Sequence, residues 1–161
     1  MMGVKDRFME HDSQVSPLDS HVGYWLRVVS NHVSHAFARK LEAEGVTVAE
    51  WGLLRELLHL GETSPYILAK SIGMTRGAVS KLLDRLVDKN YVDRWQSDGD
   101  RRYQRVELTA VGHTLVPYLA EKADTNDAEF FGHLDDAQKA ALINLLKEAD
   151  ARHGSKEKPV K

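Results

Sequence analysis

The chain contains no cysteine. That absence excludes a disulfide framework, a cysteine-ligated zinc or iron–sulfur site, a thiol nucleophile and a thiol redox sensor. No apolar run approaches the ~18 residues that a membrane-spanning helix requires. The opening residues, Met1-Met2-Gly3-Val4-Lys5-Asp6-Arg7, mix charges with no apolar segment behind them and do not read as a signal peptide. There is no glycine-rich phosphate loop, no His-Glu-x-x-His and no nucleophile elbow. A catalytic site needs a convergent nucleophile, base and orienting group, so the expectation is a protein without catalysis or cofactor. Internal repeats and low-complexity segments are also missing. What remains is 161 residues, 42% hydrophobic and 29% charged, the composition of one soluble, cytoplasmic globular domain. A domain of that size buries roughly 70% of its unfolded surface and needs no staples.

The net charge of −2 argues against a general polyanion binder. It hides a gradient. Between Lys70 and Arg105 nine basic residues face five acidic ones, a local +4 that leaves −6 for the rest of the chain. An acidic body with one basic segment is the footprint of a protein that presents one face to phosphates, although charge clusters also serve simply as solvated faces.

Residues 1–15 have no apolar period and read as a flexible arm. Ser16-Pro17 resembles an N-cap followed by a first-turn proline. From there Leu18, Val22, Leu26, Val29, Val33, Phe37 and Leu41 mark one face of a long helix ending at Gly45. A helix of about 25 residues would span ~37 Å, more than one small domain covers, and so calls for a partner chain. Thr47-Val48-Ala49-Glu50 is a capping box opening a second helix (Val48, Trp51, Leu54, Leu58). Ser64-Pro65 starts a short third (Ile67, Leu68, Ala69) that stops at Gly73. Thr75 caps a fourth, with Val79, Leu82, Leu83 and Leu86 inward and Asn90 as a left-handed C-terminal cap.

The period then changes from helical to alternating. Tyr91–Gln96 and Tyr103–Leu108 flank a polar, charged tip and read as a hairpin. Thr109 caps a fifth helix (Val111, Leu115, Leu119, Ala123) in which Pro117 predicts a kink or a late start. Asp135 and Gln138 box a last helix through Ala141, Leu142, Leu145, Leu146 and Ala149, before a loose tail.

The third and fourth helices, joined by a tight turn through Gly73, make a helix-turn-helix. In that motif the second helix enters the major groove, N-terminal residues first. Thr75, Arg76, Ser80, Lys81 and Asp84 point outward. Arg76 suits a bidentate pair to guanine, Ser80 a base or a phosphate, and Gly77 permits close approach. The hairpin places Arg101 and Arg102 at its tip, the residue type that narrow A·T-rich minor grooves attract. Helix pairs and charged hairpins also occur where no DNA is bound; the distinguishing feature is their order inside the one basic segment.

The run Asp98-Gly99-Asp100-Arg101-Arg102-Tyr103-Gln104-Arg105-Val106-Glu107-Leu108-Thr109-Ala110-Val111-Gly112 resembles the wing signature of the MarR family, Asp-x-Arg, a short strand, then Leu-Thr-x-x-Gly. Gly73 to Leu86 resembles that family's recognition helix, and the likeness covers about residues 18–150. Asn90 stands where many members have glycine. The resemblance implies a mainly α fold with a small β-hairpin wing: a winged helix-turn-helix in an intertwined helical homodimer. It divides one domain, 1–161, into dimerisation helices (16–45 and 109–152) and a DNA-binding lobe (46–108). It implies that Thr75, Arg76, Gly77, Ser80 and Lys81 meet the major groove. Asp100 would hold the wing, with Arg101 beside Arg102, which enters the minor groove. The implied partner is double-stranded DNA with a pseudo-palindromic operator, half-sites ~10 base pairs apart, and the implied role is a repressor released by a small aromatic or phenolic acid.

No motif marks an effector site. Trp25, His32, Trp51 and Arg55 offer rings and a cation to an aromatic carboxylate; equally, the tryptophans suit a core and Arg55 a surface ion pair. His32 and His35 have a spacing compatible with metal ligands, and His113 is a third candidate, but no convincing ligand set emerges and no metal is expected. Two rival readings stay open: a helical ligand-binding dimer that never meets DNA, and a metal-responsive regulator.

Overall fold

The computed structural model describes residues 15–96 and 104–153. Two compact units, Met1–His35 and Ala36–Lys161, divide inside the first helix. In the first unit, Ser20 donates both its N–H and its hydroxyl to the Pro17 carbonyl. This closes a 3-10 turn over Leu18–Ser20 and leaves His21 extended. Helix α1 therefore spans Val22–Glu42 and does not begin at Ser16-Pro17, as the sequence suggested; the Pro17 carbonyl is spent on the turn instead. Its 21 residues cover ~31 Å. Val22, Leu26 and Val29 are exposed.

In the second unit α1 ends with Leu41 fully buried. Helix α2 (Val48–Leu60) starts at the expected capping box, with both reciprocal bonds made between Thr47 and Glu50. Helix α3 (Pro65–Ile72) is capped by Ser64 and stopped by Gly73 at φ 70°, a left-handed conformation that costs glycine least. Helix α4 (Arg76–Asp88) is capped by Thr75. Beyond it, Asn90 at φ 60° donates to the Val87 carbonyl while the Tyr91 N–H reaches the Leu86 carbonyl, a Schellman closure. Strands β1 (Val92–Gln96) and β2 (Gln104–Leu108) pair antiparallel, Val92 opposite Leu108 and Gln96 opposite Gln104. Helix α5 (Ala110–Phe131) begins at Thr109 and α6 (Asp136–His153) after the Asp135–Gln138 box.

One core joins Leu41, Val46, Trp51, Leu53, Leu54, Leu57, Leu68, Val79, Leu83, Leu86, Val92, Val106, Val116 and Leu119. Helix α2 is its hub, packing against α3, α4, α5 and β2. Of the apolar positions expected on these helices, Leu58, Ile67 and Val111 face out instead, as do Leu142, Leu145 and Leu146. On α2 the inner stripe steps from Leu54 to Leu57 rather than to Leu58, about 100° round the helix. On α5 the buried line runs Gly112, Val116, Leu119 and Asn126, set by the approach of Gly112 to the wing base. Pro117 lies inside α5 at an exposed position, which excludes the late start. A feature absent from the sequence reading is a third extended piece: Thr63 exchanges two backbone hydrogen bonds with Val106, 3.0 and 2.9 Å. Strand β2 is thus held on both edges. Helix α6 buries none of its residues.

Candidate nucleic-acid interface

The helix-turn-helix is α3, the turn at Gly73 and Met74, and α4. The Met74 N–H reaches back to the Ala69 carbonyl at 3.0 Å, so the turn is closed before α4 starts. Val79, Leu82, Leu83 and Leu86 turn inward as expected, which fixes the opposite face outward. Thr75, Arg76, Gly77 and Lys81 are exposed. The Thr75 hydroxyl oxygen accepts from the Ala78 N–H at 3.2 Å, leaving its proton free to donate to a phosphate. Gly77 has open space where a side chain would be.

Ser80 is half-buried, because Arg94 of β1 reaches across to it. The Arg94 guanidinium donates to Asp84 at 2.7 Å, to Ser80 at 3.3 Å and, through Nε, to Gln104 of β2 at 3.0 Å. One arginine therefore bolts both wing strands to the middle of the recognition helix. Sequence reasoning places Asp84 outward, assigns Ser80 to a base or a phosphate and gives Arg94 no part. Its partners lie ten and fourteen residues away across a turn, a separation no helical or strand period announces.

Ion pairing sorts the basic segment. Lys89 pairs with Glu50, Arg94 with Asp84 and Arg105 with Glu62. Lys70, Arg76, Lys81 and Arg85 have no ion-pair partner among the described residues, and all four lie on α3 or α4. Among the described residues of the segment, the cations without an ion-pair partner thus all lie on the helix-turn-helix. Asp100, Arg101 and Arg102, expected at the wing tip, lie outside the described residues.

The proposed effector residues fall in different units, Trp25 and His32 in the first, Trp51 and Arg55 in the second. Trp25, in the first unit, is half-exposed and donates its indole N–H to the Asp19 carbonyl at 2.7 Å; His32 is exposed. In the second unit Trp51 is buried edge-on to Phe37, and the Arg55 guanidinium lies 6.0 Å from its ring centroid. Trp51 is thus a core residue. Arg55 also lines an open concavity of about 620 Å³ with Gly52, Glu56, Leu58 and His59. No group of three or more metal-ligating side chains occurs among the described residues, and none of their helices is long and apolar enough to cross a membrane.

The Leu-Thr-x-x-Gly part of the wing signature has a physical content. Leu108 is buried. The Thr109 hydroxyl accepts the Gly112 N–H at 3.0 Å and donates to the Asn90 carbonyl at 2.8 Å, while the Thr109 N–H bonds the Tyr91 carbonyl. A Cβ on Gly112 would overlap that same Tyr91 carbonyl oxygen. The motif ties the start of α5 to the turn that follows α4.

Comparison with known proteins agrees with this architecture. A family model described as MarR family matches residues 44–102. A Thauera aromatica protein named as a transcriptional regulator for the hcr operon is 28% identical over 127 residues, covering 78% of this chain and 76% of its own. A mutant MarR from E. coli, solved in complex with operator DNA, is similar with a TM-score of 0.68 and 25% identity, over 80% of this chain and 92% of that one. BpsR of Bordetella bronchiseptica, whose DNA binding is regulated by 6-hydroxynicotinic acid, shares the fold with a TM-score of 0.69 and 24% identity, over 84% and 97% of the two chains. With a winged helix-turn-helix closed by a Leu-Thr-x-x-Gly knot and a matching profile over residues 44–102, the chain is similar to the MarR family of transcriptional regulators.

Proposed function

We propose that the chain is a sequence-specific double-stranded DNA-binding repressor that acts as a cytoplasmic homodimer and is released by a small aromatic or phenolic acid. The observation that carries the reading is the sorting of charge. Arg76, Lys81 and Arg85 stand unpaired on α4 among the described residues, while Lys89, Arg94 and Arg105 are tied into ion pairs. Thr75, Arg76, Gly77, Ser80 and Lys81 meet the major groove, and Asp100, Arg101 and Arg102 form the minor-groove wing. The dimer is supported by α6, which exposes Leu142, Ile143, Leu145 and Leu146, and by the exposed row Val22, Leu26 and Val29 on α1. Apolar rows of this extent mark association surfaces. Arg55, beside its concavity, suits an effector carboxylate; His32 and Trp25 are its further candidates, and Trp51 supports Arg55 from within the core.

Selection from random DNA duplexes at about 0.15 M salt, where nonspecific phosphate binding is suppressed, tests the reading. An inverted repeat is expected. A pool with no enrichment over input overturns it in favour of a helical ligand-binding dimer. On the selected operator, Arg102→Ala is expected to weaken binding about tenfold, with the thermal midpoint and the dimer unchanged. Equal affinity of the variant and the parent in a titration would remove the wing from the mechanism.

A further inference from the structure

We propose that Tyr66 is a positioning residue that aims Arg76 at a guanine and so sets base preference in each half-site. This rests on the DNA-binding reading above. Tyr66 follows Pro65 in the first turn of α3, and Arg76 is the first residue of α4. The ring of one helix thus reaches the guanidinium of the next across the motif's turn, 4.5 Å from guanidinium carbon to ring centroid. Tyr66 is 52% exposed and Arg76 is exposed, so the contact is not core packing. Arg76 has no hydrogen-bond or ion-pair partner among the described residues, in contrast to Arg94, whose donors are spent on Asp84, Ser80 and Gln104.

A guanidinium held over a ring by cation–π attraction is not hydrogen-bonded there, and its N–H donors stay available to another partner. Two of those donors match the O6 and N7 acceptors that guanine shows in the major groove. The ring also restricts a long side chain that would otherwise lose rotamer freedom only on binding, and this pre-organisation favours the complex. Tyr66 thereby acts on specificity without reading a base itself.

The test compares base preferences of the full-length chain and its variants by selection from random duplexes, followed by titration of the selected operator and its single-base replacements. Arg76→Ala identifies the base pair that depends on Arg76. Tyr66→Leu, which keeps apolar volume but removes the ring face, is expected to flatten the guanine preference at that same pair and to weaken operator binding about two- to fivefold. Tyr66→Phe is expected to retain the preference, and Tyr66→Leu added to Arg76→Ala to cost nothing further. Arg76→Lys, which keeps the charge but not the fork, is expected to lose the guanine preference; this variant keeps the proposal testable if Tyr66→Leu misfolds. A Tyr66→Leu chain that binds all sequences more weakly with its preference intact overturns the assignment, as does an Arg76→Lys chain that still selects guanine. A parent chain that enriches no sequence overturns the DNA-binding reading itself, an outcome distinct from either.

Discussion

Replacing Lys89 with methionine is expected to lower the unfolding free energy by about 2–4 kcal/mol at neutral pH. Glu50 is 1% exposed, and its two oxygens each accept a hydrogen bond from the Lys89 ammonium at 2.9 Å. One of them also takes the Thr47 N–H at 2.8 Å. Methionine retains the apolar stem but leaves a buried carboxylate with Thr47 alone as its hydrogen-bond partner. The Lys89 side chain is 35% exposed, so water can follow, which places the cost toward the lower part of the range for a broken buried pair. Burial, the largest influence on Glu50, raises its pKa. The Lys89 hydrogen bond, the Thr47 N–H and the Lys89 charge together outweigh that and hold it below the usual carboxylate value. The folded pKa therefore lies below the unfolded one. The pair's contribution is complete above the unfolded carboxylate pKa, about 4.3, and is lost as pH falls through the folded value. Urea unfolding of parent and variant should show a wide gap at pH 7 that closes in acid. Coincident midpoints at pH 7, or a gap that does not change with pH, would refute the pair's role.

Gly112→Ala is expected to cost about 2 kcal/mol net, despite replacing glycine within a helix. The change offers a propensity gain of up to ~1 kcal/mol. Against it, the new Cβ meets the Tyr91 carbonyl oxygen, a backbone atom that already accepts the Thr109 N–H and cannot swing aside as a side chain tip would. Overpacking of this kind costs roughly 1–3 kcal/mol, occasionally more, and here the shift must move α5 or the base of β1. A thermal midpoint several degrees lower is expected. An unchanged or higher midpoint would mean that the wing base yields freely.

The helices were legible because their ends are written locally. Thr47 with Glu50, Ser64 with Pro65, Thr75, Thr109, and Asp135 with Gln138 each cap where expected. The failed start at Ser16-Pro17 shows the limit: a serine and a proline fit an N-cap, but Ser20 competes for the same carbonyl and wins. Inner faces were read correctly on α4, where four apolar residues leave no choice. On α2, with Leu57 and Leu58 adjacent, the register depends on neighbours that sequence period alone does not supply. The same holds for the site. Thr75, Arg76 and Lys81 follow from position on the helix, whereas Arg94, Tyr66 and the Lys89–Glu50 pair act through contacts between elements, and only the packed chain brings them together.

Four anchors hold the recognition helix: Thr75 at its start, Arg94 through Ser80 and Asp84 at its middle, Lys89 through Glu50 and Gly45 at its end, and Thr109 on the carbonyl of Asn90 just beyond. So many fastenings leave α4 no joint of its own. In a two-fold pair, each lobe then behaves like the fixed jaw of a caliper, and only the gap between jaws is adjustable. DNA presents successive major grooves on one side ~34 Å apart. On the proposed reading of a two-fold pair on an operator, release follows from mis-setting that gap, not from bending or unwinding α4.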